Sequence, residues 1–291
     1  VFGLWGNDPL KKAIKVARKA SNSGHHEQAL RQLRILLPSQ EFSSNRGDFL
    51  SFLKALKPVG TAFAGEEFAE KVATAISKPD DPEVLYKLGY DLVEYGLHAF
   101  ATLPLYRLHH LSPPLPLFVS ELAAALEGLM MSEEIVALIT NAGPEILEDS
   151  VCFYLLSFHQ VMSGQLELAR ANLPRLCELM QDEEEKFMFK RVSNMVTRAD
   201  QVKPVTGLSD QDLVGWHYVK TGGILTYLSP FGFEEGMAGR FAFTQDSYSR
   251  CRFGIERLLE LMQGWEVMPP RVFFGRDHSS KILGAAVAAM L

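Results

Sequence analysis

The stretch GRDHSS, residues 275–280, gathers the side chains best suited to chemistry in this chain. It lies between an apolar run, RVFF, and an alanine-rich segment, KILGAAVAAML. Free N–H groups at a helix start attract anions, so Ser279 and Ser280, with Arg276 beside them, form a candidate anion cradle. Asp277 and His278 stand next to it as a candidate acid and base. The competing reading is plainer: Asp277 and the serines cap the helix, which is what Asp and Ser most often do. Capping is preferred, and no residue is given a catalytic role.

Other polar groups carry less. The histidine pairs His25–His26 and His109–His110 point about 100° apart on a helix, so neither makes a ready metal site. His159 and His217 have no second ligand at useful spacing. The pairs Glu66–Glu67 and Glu234–Glu235 read as surface charge, and the run from Asp182 to Glu185 as an acidic helix start. No Gly-x-Ser-x-Gly, phosphate-loop or complete Gly-x-Gly-x-x-Gly motif occurs. The expectation is no metal and no cofactor.

The balance of charge narrows the partners. A net charge of −6 over 291 residues argues against nucleic acid, whose binding needs clustered Lys and Arg. Three cysteines, Cys152, Cys177 and Cys251, with no C-x-x-C pair, suit a reducing, cytoplasmic setting. The opening VFGLWG precedes a basic amphipathic helix with Leu10, Ala13, Ile14 and Ala17 on one side. That pairing suggests an anionic membrane surface. The preferred alternative is that Phe2 and Trp5 cap the first helical unit.

The elements that must position these groups divide in two. From 208 to 291 the chain reads as a small α/β or α+β domain, truncated at its C-terminus. WHYVKTGGILTYLS, residues 216–229, alternates like a strand or two strands, and RFAF and RVFF read as further strands. Residues 246–262 form an amphipathic helix, and the segment after GRDHSS forms another. Between Ala199 and Ser209, QVKPVTGLS marks the boundary, closing a first domain at 1–203.

That first domain is organised by a repeat. Gly96, Met130 and Gly164 are spaced 34 residues apart, and their surroundings recur in register. Eleven residues before each stand Leu85, Val119 and Phe153, and eight before Leu88, Leu122 and Leu156. Seven before come small Gly89, Ala123 and Ser157. Five after come Ala101, Ile135 and Ala169, and nine after Leu105, Ile139 and Leu173. Large, small, turn, second apolar helix describes a helix–turn–helix unit that must stack on copies of itself. An earlier copy centres on Gly24, and a weaker one on Ala64, whose first helix contains Pro58 and is expected to be short or kinked. The segment after Gln181 reads as a charged closing helix.

The pattern resembles the tetratricopeptide repeat over about residues 9–200. The resemblance implies a mainly α solenoid of about five repeats, whose first helices line a concave groove for a peptide or partner helix. The residues it places there are Tyr86, Tyr90 and Glu94, then Leu117, Ser120 and Glu127, then Tyr154, Phe158 and Met162. This row is aromatic and apolar, and lacks the Lys, Arg and Asn cluster by which some members hold a C-terminal carboxylate. The expected function is a non-enzymatic scaffold binding an apolar segment of another protein. The chain's own C-terminal domain or a second copy filling the groove stands as an equal alternative. A second, looser resemblance joins Asp277, Ser279, Ser280 and the helix around Ala285 to Ala289 to the pyrophosphate loop of phosphoribosyltransferases. It implies a phosphate-binding or enzymatic C-terminal module regulated by the repeats. The Pro and paired glycines of that loop are missing here, as is the acidic pair that binds ribose.

Overall fold

The computed structural model describes residues 8–34, 40–183, 185–225 and 248–291. The aromatic tip at 1–6, the pair Glu234–Glu235 and the expected RFAF strand lie outside them. Fifteen helices and no strand occur among the described residues. The chain divides into two compact units, Val1–Phe189 and Lys190–Leu291.

The first unit is a succession of helical hairpins: α1 (Asp8–Asn22) with α2 (His26–Arg34), α5 (Pro82–Glu94) with α6 (His98–Leu111), α7 (Pro116–Glu127) with α8 (Ser132–Asn141), and α10 (Ser150–Met162) with α11 (Leu166–Leu179). Between them lie short α3 (Gln40–Ser44), long α4 (Arg46–Ser77) and one-turn α9 (Pro144–Leu147). The starts follow from capping. Asp81 accepts from Glu83 N and Val84 N ahead of Pro82, and Asp149 accepts from Cys152 N. The four hairpin turns share one geometry. Gly24, Gly96, Met130 and Gly164 have φ of 77°, 67°, 60° and 81°, in the left-handed region. The next residue donates back six-to-one in every case: His25 to Ala20 at 2.9 Å, Leu97 to Leu92 at 2.8 Å, Met131 to Leu126 at 3.0 Å, Gln165 to Gln160 at 2.7 Å.

The repeating columns form the core. Leu85, Val119, Phe153, Leu88, Leu122 and Leu156 are buried, as are Ala101, Ile135 and Ala169, while Leu173 is half-buried. The small position is where the two helices cross. A Cβ on Gly89 would lie 2.5 Å from Leu105 Cγ. In the first copy Ala13, Ala17, Ala29 and Leu33 are buried, but Val16 is exposed. In the second, α4 runs through Pro58, and its one non-helical residue is Gly65 at φ 83°. The chain folds back there, and Phe68 lies where a Cβ on Gly60 would be 2.3 Å away.

One buried charge ties the N-terminal repeats together. Arg107 of α6 donates from Nε to Pro79 O at 2.8 Å and from Nη1 to Ser43 O at 2.9 Å and Ser44 O at 3.3 Å. Its Nη2 pairs with Asp80, and its guanidinium stacks 5.2 Å from the Phe49 ring centroid. It therefore satisfies carbonyls where α3 ends and where α4 turns into α5. The guanidinium beside Asp80 holds that carboxyl below its usual range, with Arg46 adding to the effect.

The second unit differs from its strand-rich expectation. The run from Trp216 is helical, within α13 (Leu213–Thr221). Asp212 accepts from Gly215 N at its start, and Gly222, at φ 72°, closes its end. Leu213, Trp216 and Val219 are buried at a spacing of three, a helical period that Trp–His–Tyr–Val–Lys mimics as alternation. Ahead of it, α12 (Lys186–Thr206) continues through Pro204, and Arg198 and Gln201 hydrogen-bond Val219 O and Tyr218 Oη. RVFF has no strand geometry, and Phe273 and Phe274 are exposed; a strand needs a partner to pair its backbone, and none lies among the described residues. The helices expected at 246–262 and after GRDHSS are α14 (Tyr248–Gly264) and α15 (His278–Met290).

Candidate functional site

The first helices of two neighbouring hairpins, α5 and α7, pack together and place their side chains on one surface. Tyr86 meets Tyr90, one turn on, at 6.2 Å between ring centroids, and Phe118 of α7 at 5.6 Å. Tyr86 and Phe118 are half-buried, which fixes the rings, while Tyr90 is 44% exposed and Leu117 is 55% exposed. Ser120 turns its hydroxyl back to Leu117 O. Glu94 and Glu127 are exposed at the C-terminal ends of the two helices.

Phe118 and Glu121 belong to this surface but were absent from the sequence-derived row. Glu121 is half-buried; burial, then the nearby Glu94 carboxylate, push its pKa up. Burial, with Glu121 and Tyr90 close by, likewise raises that of Tyr86. No cation pairs with Glu94 or Glu121 among the described residues. The surface is an aromatic strip edged by two uncompensated carboxylates. A signal for it existed in the sequence: Glu121 follows Leu117 by one helical turn.

The third part of the row is placed differently. Tyr154, Phe158 and Met162 of α10 are all buried, with Tyr154 and Phe158 in ring contact at 5.8 Å. Phe158 also meets His159 edge-on at 5.0 Å. They are core-like in their surroundings, whereas Tyr86, Tyr90 and Leu117 are reachable.

Ser132, His159 and Glu127 line up in the order of an acyl-transfer triad. Ser132 Oγ lies 3.0 Å from His159 Nδ1, and Glu127 4.0 Å from its Nε2. Both Ser132 and His159 are buried, so a substrate carbonyl has no approach to the hydroxyl. The arrangement joins α8 to α10 through the Ser132–His159 hydrogen bond. Cys152 is also buried, which pushes its thiol up to about 12 and leaves it a weak nucleophile.

At the C-terminal end, Asp277 caps α15 by accepting from Ser280 N at 2.8 Å. Hydrogen bonds from the Ser280 side chain and backbone hold its carboxyl below the usual range. The carboxylate thus occupies the N–H that an anion would use. Arg276 and Ser279 are exposed, and Ser280 half-buried. No group of three or more metal-ligating side chains, and no helix long and apolar enough to cross a membrane, occurs among the described residues.

No family model, curated protein or solved structure matches this chain.

Proposed function

We propose that the chain is a tetratricopeptide-like scaffold that holds an apolar segment of another protein on the α5–α7 face. One observation carries this reading: Tyr90 and Leu117 are large, apolar and exposed on a surface whose neighbouring rings are already fixed. Rigid aromatic anchors bind with little loss of side-chain freedom. Glu94 and Glu121 refine the partner. A lysine or arginine on the bound segment relieves their mutual repulsion and stacks on a tyrosine face. The proposed setting is cytoplasmic, on the cysteine usage. The phosphate-binding alternative at Arg276, Asp277, Ser279 and Ser280 is less well supported, since Asp277 is spent on capping. An α/β layering of 208–291 needs strands in 226–247, outside the described residues.

The test is selection of displayed random peptides on the full chain, repeated on Tyr90→Ala and Leu117→Ala. Both side chains are exposed enough that the fold survives their loss. Apolar peptides carrying a basic residue are expected, with binding to each variant weakened about tenfold, the loss of one anchor. Peptides that bind the variants as well as the parent overturn the reading.

A further inference from the structure

Helix α1 presents a basic face from Lys11 to Lys19. At about 100° per residue, Lys11, Lys12, Lys15, Arg18 and Lys19 fall within an arc of about 120°. Ala13, Ile14, Ala17, Ala20 and Ser21 occupy the opposite arc and are buried. The five cations are exposed along about 12 Å of helix, from a rise of about 1.5 Å per residue. Among the described residues only Lys11 has a carboxylate partner, Asp48 of α4 at 3.5 Å. Lys12, Lys15, Arg18 and Lys19 have none among the described residues.

Like charges three and four residues apart weaken a helix, and here they recur along its length in a protein of net charge −6. A local arrangement that opposes its own helix marks a functional surface better than a structural one. The face is also concave. The cations line an open basin of about 1030 Å³ whose far wall is α4, with Asp48 and Ser51. That volume suits a small molecule. Among the described residues the lining has no aromatic side chain on which a base would stack, and it is too short for a duplex. Among the described residues Ile14 and Val16 are its only large apolar members, too few to anchor a peptide.

We propose that this basin binds a compact anion bearing several phosphate groups, free or as the head of a lipid. Four or five cations spread over one short arc match phosphates clustered on a small ring. Asp48 bounds the site at one end, and Ser51 and Ser23 supply hydroxyls.

The full chain is titrated calorimetrically with inositol hexakisphosphate at about 0.1 M salt, where surface charges farther than a Debye length are screened. Lys15→Glu/Arg18→Glu is the test variant, and Lys190→Glu/Lys203→Glu, at two exposed lysines of α12, controls for net charge. Lys15→Gln/Arg18→Gln repeats the test without new acids, and circular dichroism reports folding of all three. The expected result is binding that falls about tenfold or more in both double variants, persists in the control, and weakens steeply with salt. Phosphatidylcholine vesicles carrying phosphatidylinositol bisphosphate or phosphatidylserine separate the sources. Binding to the bisphosphate vesicles makes the ligand a lipid head; binding to the soluble compound alone makes it free. No binding to either, an equal loss in the control, or equal binding to phosphatidylserine vesicles overturns the proposal.

Discussion

The crossing of α5 and α6 tests the repeat most directly. Gly89 is a helix-interior glycine, and alanine there would ordinarily gain about 1 kcal/mol in helix propensity. The structure reverses that sign. The added Cβ would lie 2.5 Å from both Leu105 Cγ and Cδ2, and Leu105 is fully buried and unable to swing clear. Overpacking of this kind costs about 1–3 kcal/mol, so Gly89→Ala is expected to destabilise by up to about 2 kcal/mol net. Leu105→Ala removes the obstructing atoms and costs about 2–5 kcal/mol by itself. In Gly89→Ala/Leu105→Ala the new methyl occupies part of the space vacated. The double variant should therefore be more stable than the sum of the singles predicts, by at least about 1 kcal/mol. Urea unfolding followed by circular dichroism at 222 nm measures all four corners of the cycle. Additivity within about 0.5 kcal/mol, or a stabilising Gly89→Ala, would refute the close crossing and the role given to the small column.

Two further outcomes follow from charged groups. Arg107→Leu leaves the carbonyls of Ser43, Ser44 and Pro79 without their donor, and should lower stability by about 2–4 kcal/mol in the same urea assay. Because Arg107 depresses the Asp80 pKa, that carboxylate stabilises the fold above its unfolded value, about 3.9, and the contribution is lost as pH falls through the lower folded value; the acid limb of a stability–pH profile should flatten in the variant. Glu121 is the opposite case. Its folded pKa is raised, so ionisation opposes folding at neutral pH, and the penalty disappears as pH falls below the unfolded value. Glu121→Gln should raise the thermal midpoint at pH 7, with the gain vanishing below about pH 4.

Local order was legible in the sequence wherever one residue type could satisfy one local need. The left-handed turn positions announced themselves as Gly24, Gly96 and Gly164, and the 34-residue register extended the assignment to Met130, whose side chain gives no such hint. Asp81, Asp149 and Asp277 were readable as caps because capping acts within three residues. Arg107 was not readable. Its acceptors are backbone carbonyls 28, 63 and 64 residues away, and a carbonyl carries no sequence signature. The strand reading of 216–229 failed over 216–221, since the residues before Gly222 are too few to separate a period of two from one of 3.6. Asp212, the N-cap that decides it, lies outside that run, and Gly222 within it closes the helix. In the candidate site, register put Tyr86, Tyr90, Tyr154 and Phe158 on equivalent helix positions, but could not tell half-buried Tyr86 and exposed Tyr90 from the buried pair. Exposure depends on what packs over a helix.

The first unit carries two surfaces of opposite sign, and the repeat architecture explains why they do not neutralise each other. In a solenoid each hairpin touches only its neighbours. Here α1 packs on α2 and α4, whereas α5 packs on α4, α6 and α7. The cations of α1 and the Glu94–Glu121 pair therefore lie on helices with α4 between them in the packing order. In a compact globular core, long lysines and carboxylates of one chain readily find each other. Here α4 packs between α1 and α5, and salt screens surface charges beyond about 8 Å. Under the two proposals, an anion at α1 and a basic apolar segment at α5–α7 each meet charge that is largely unpaired among the described residues.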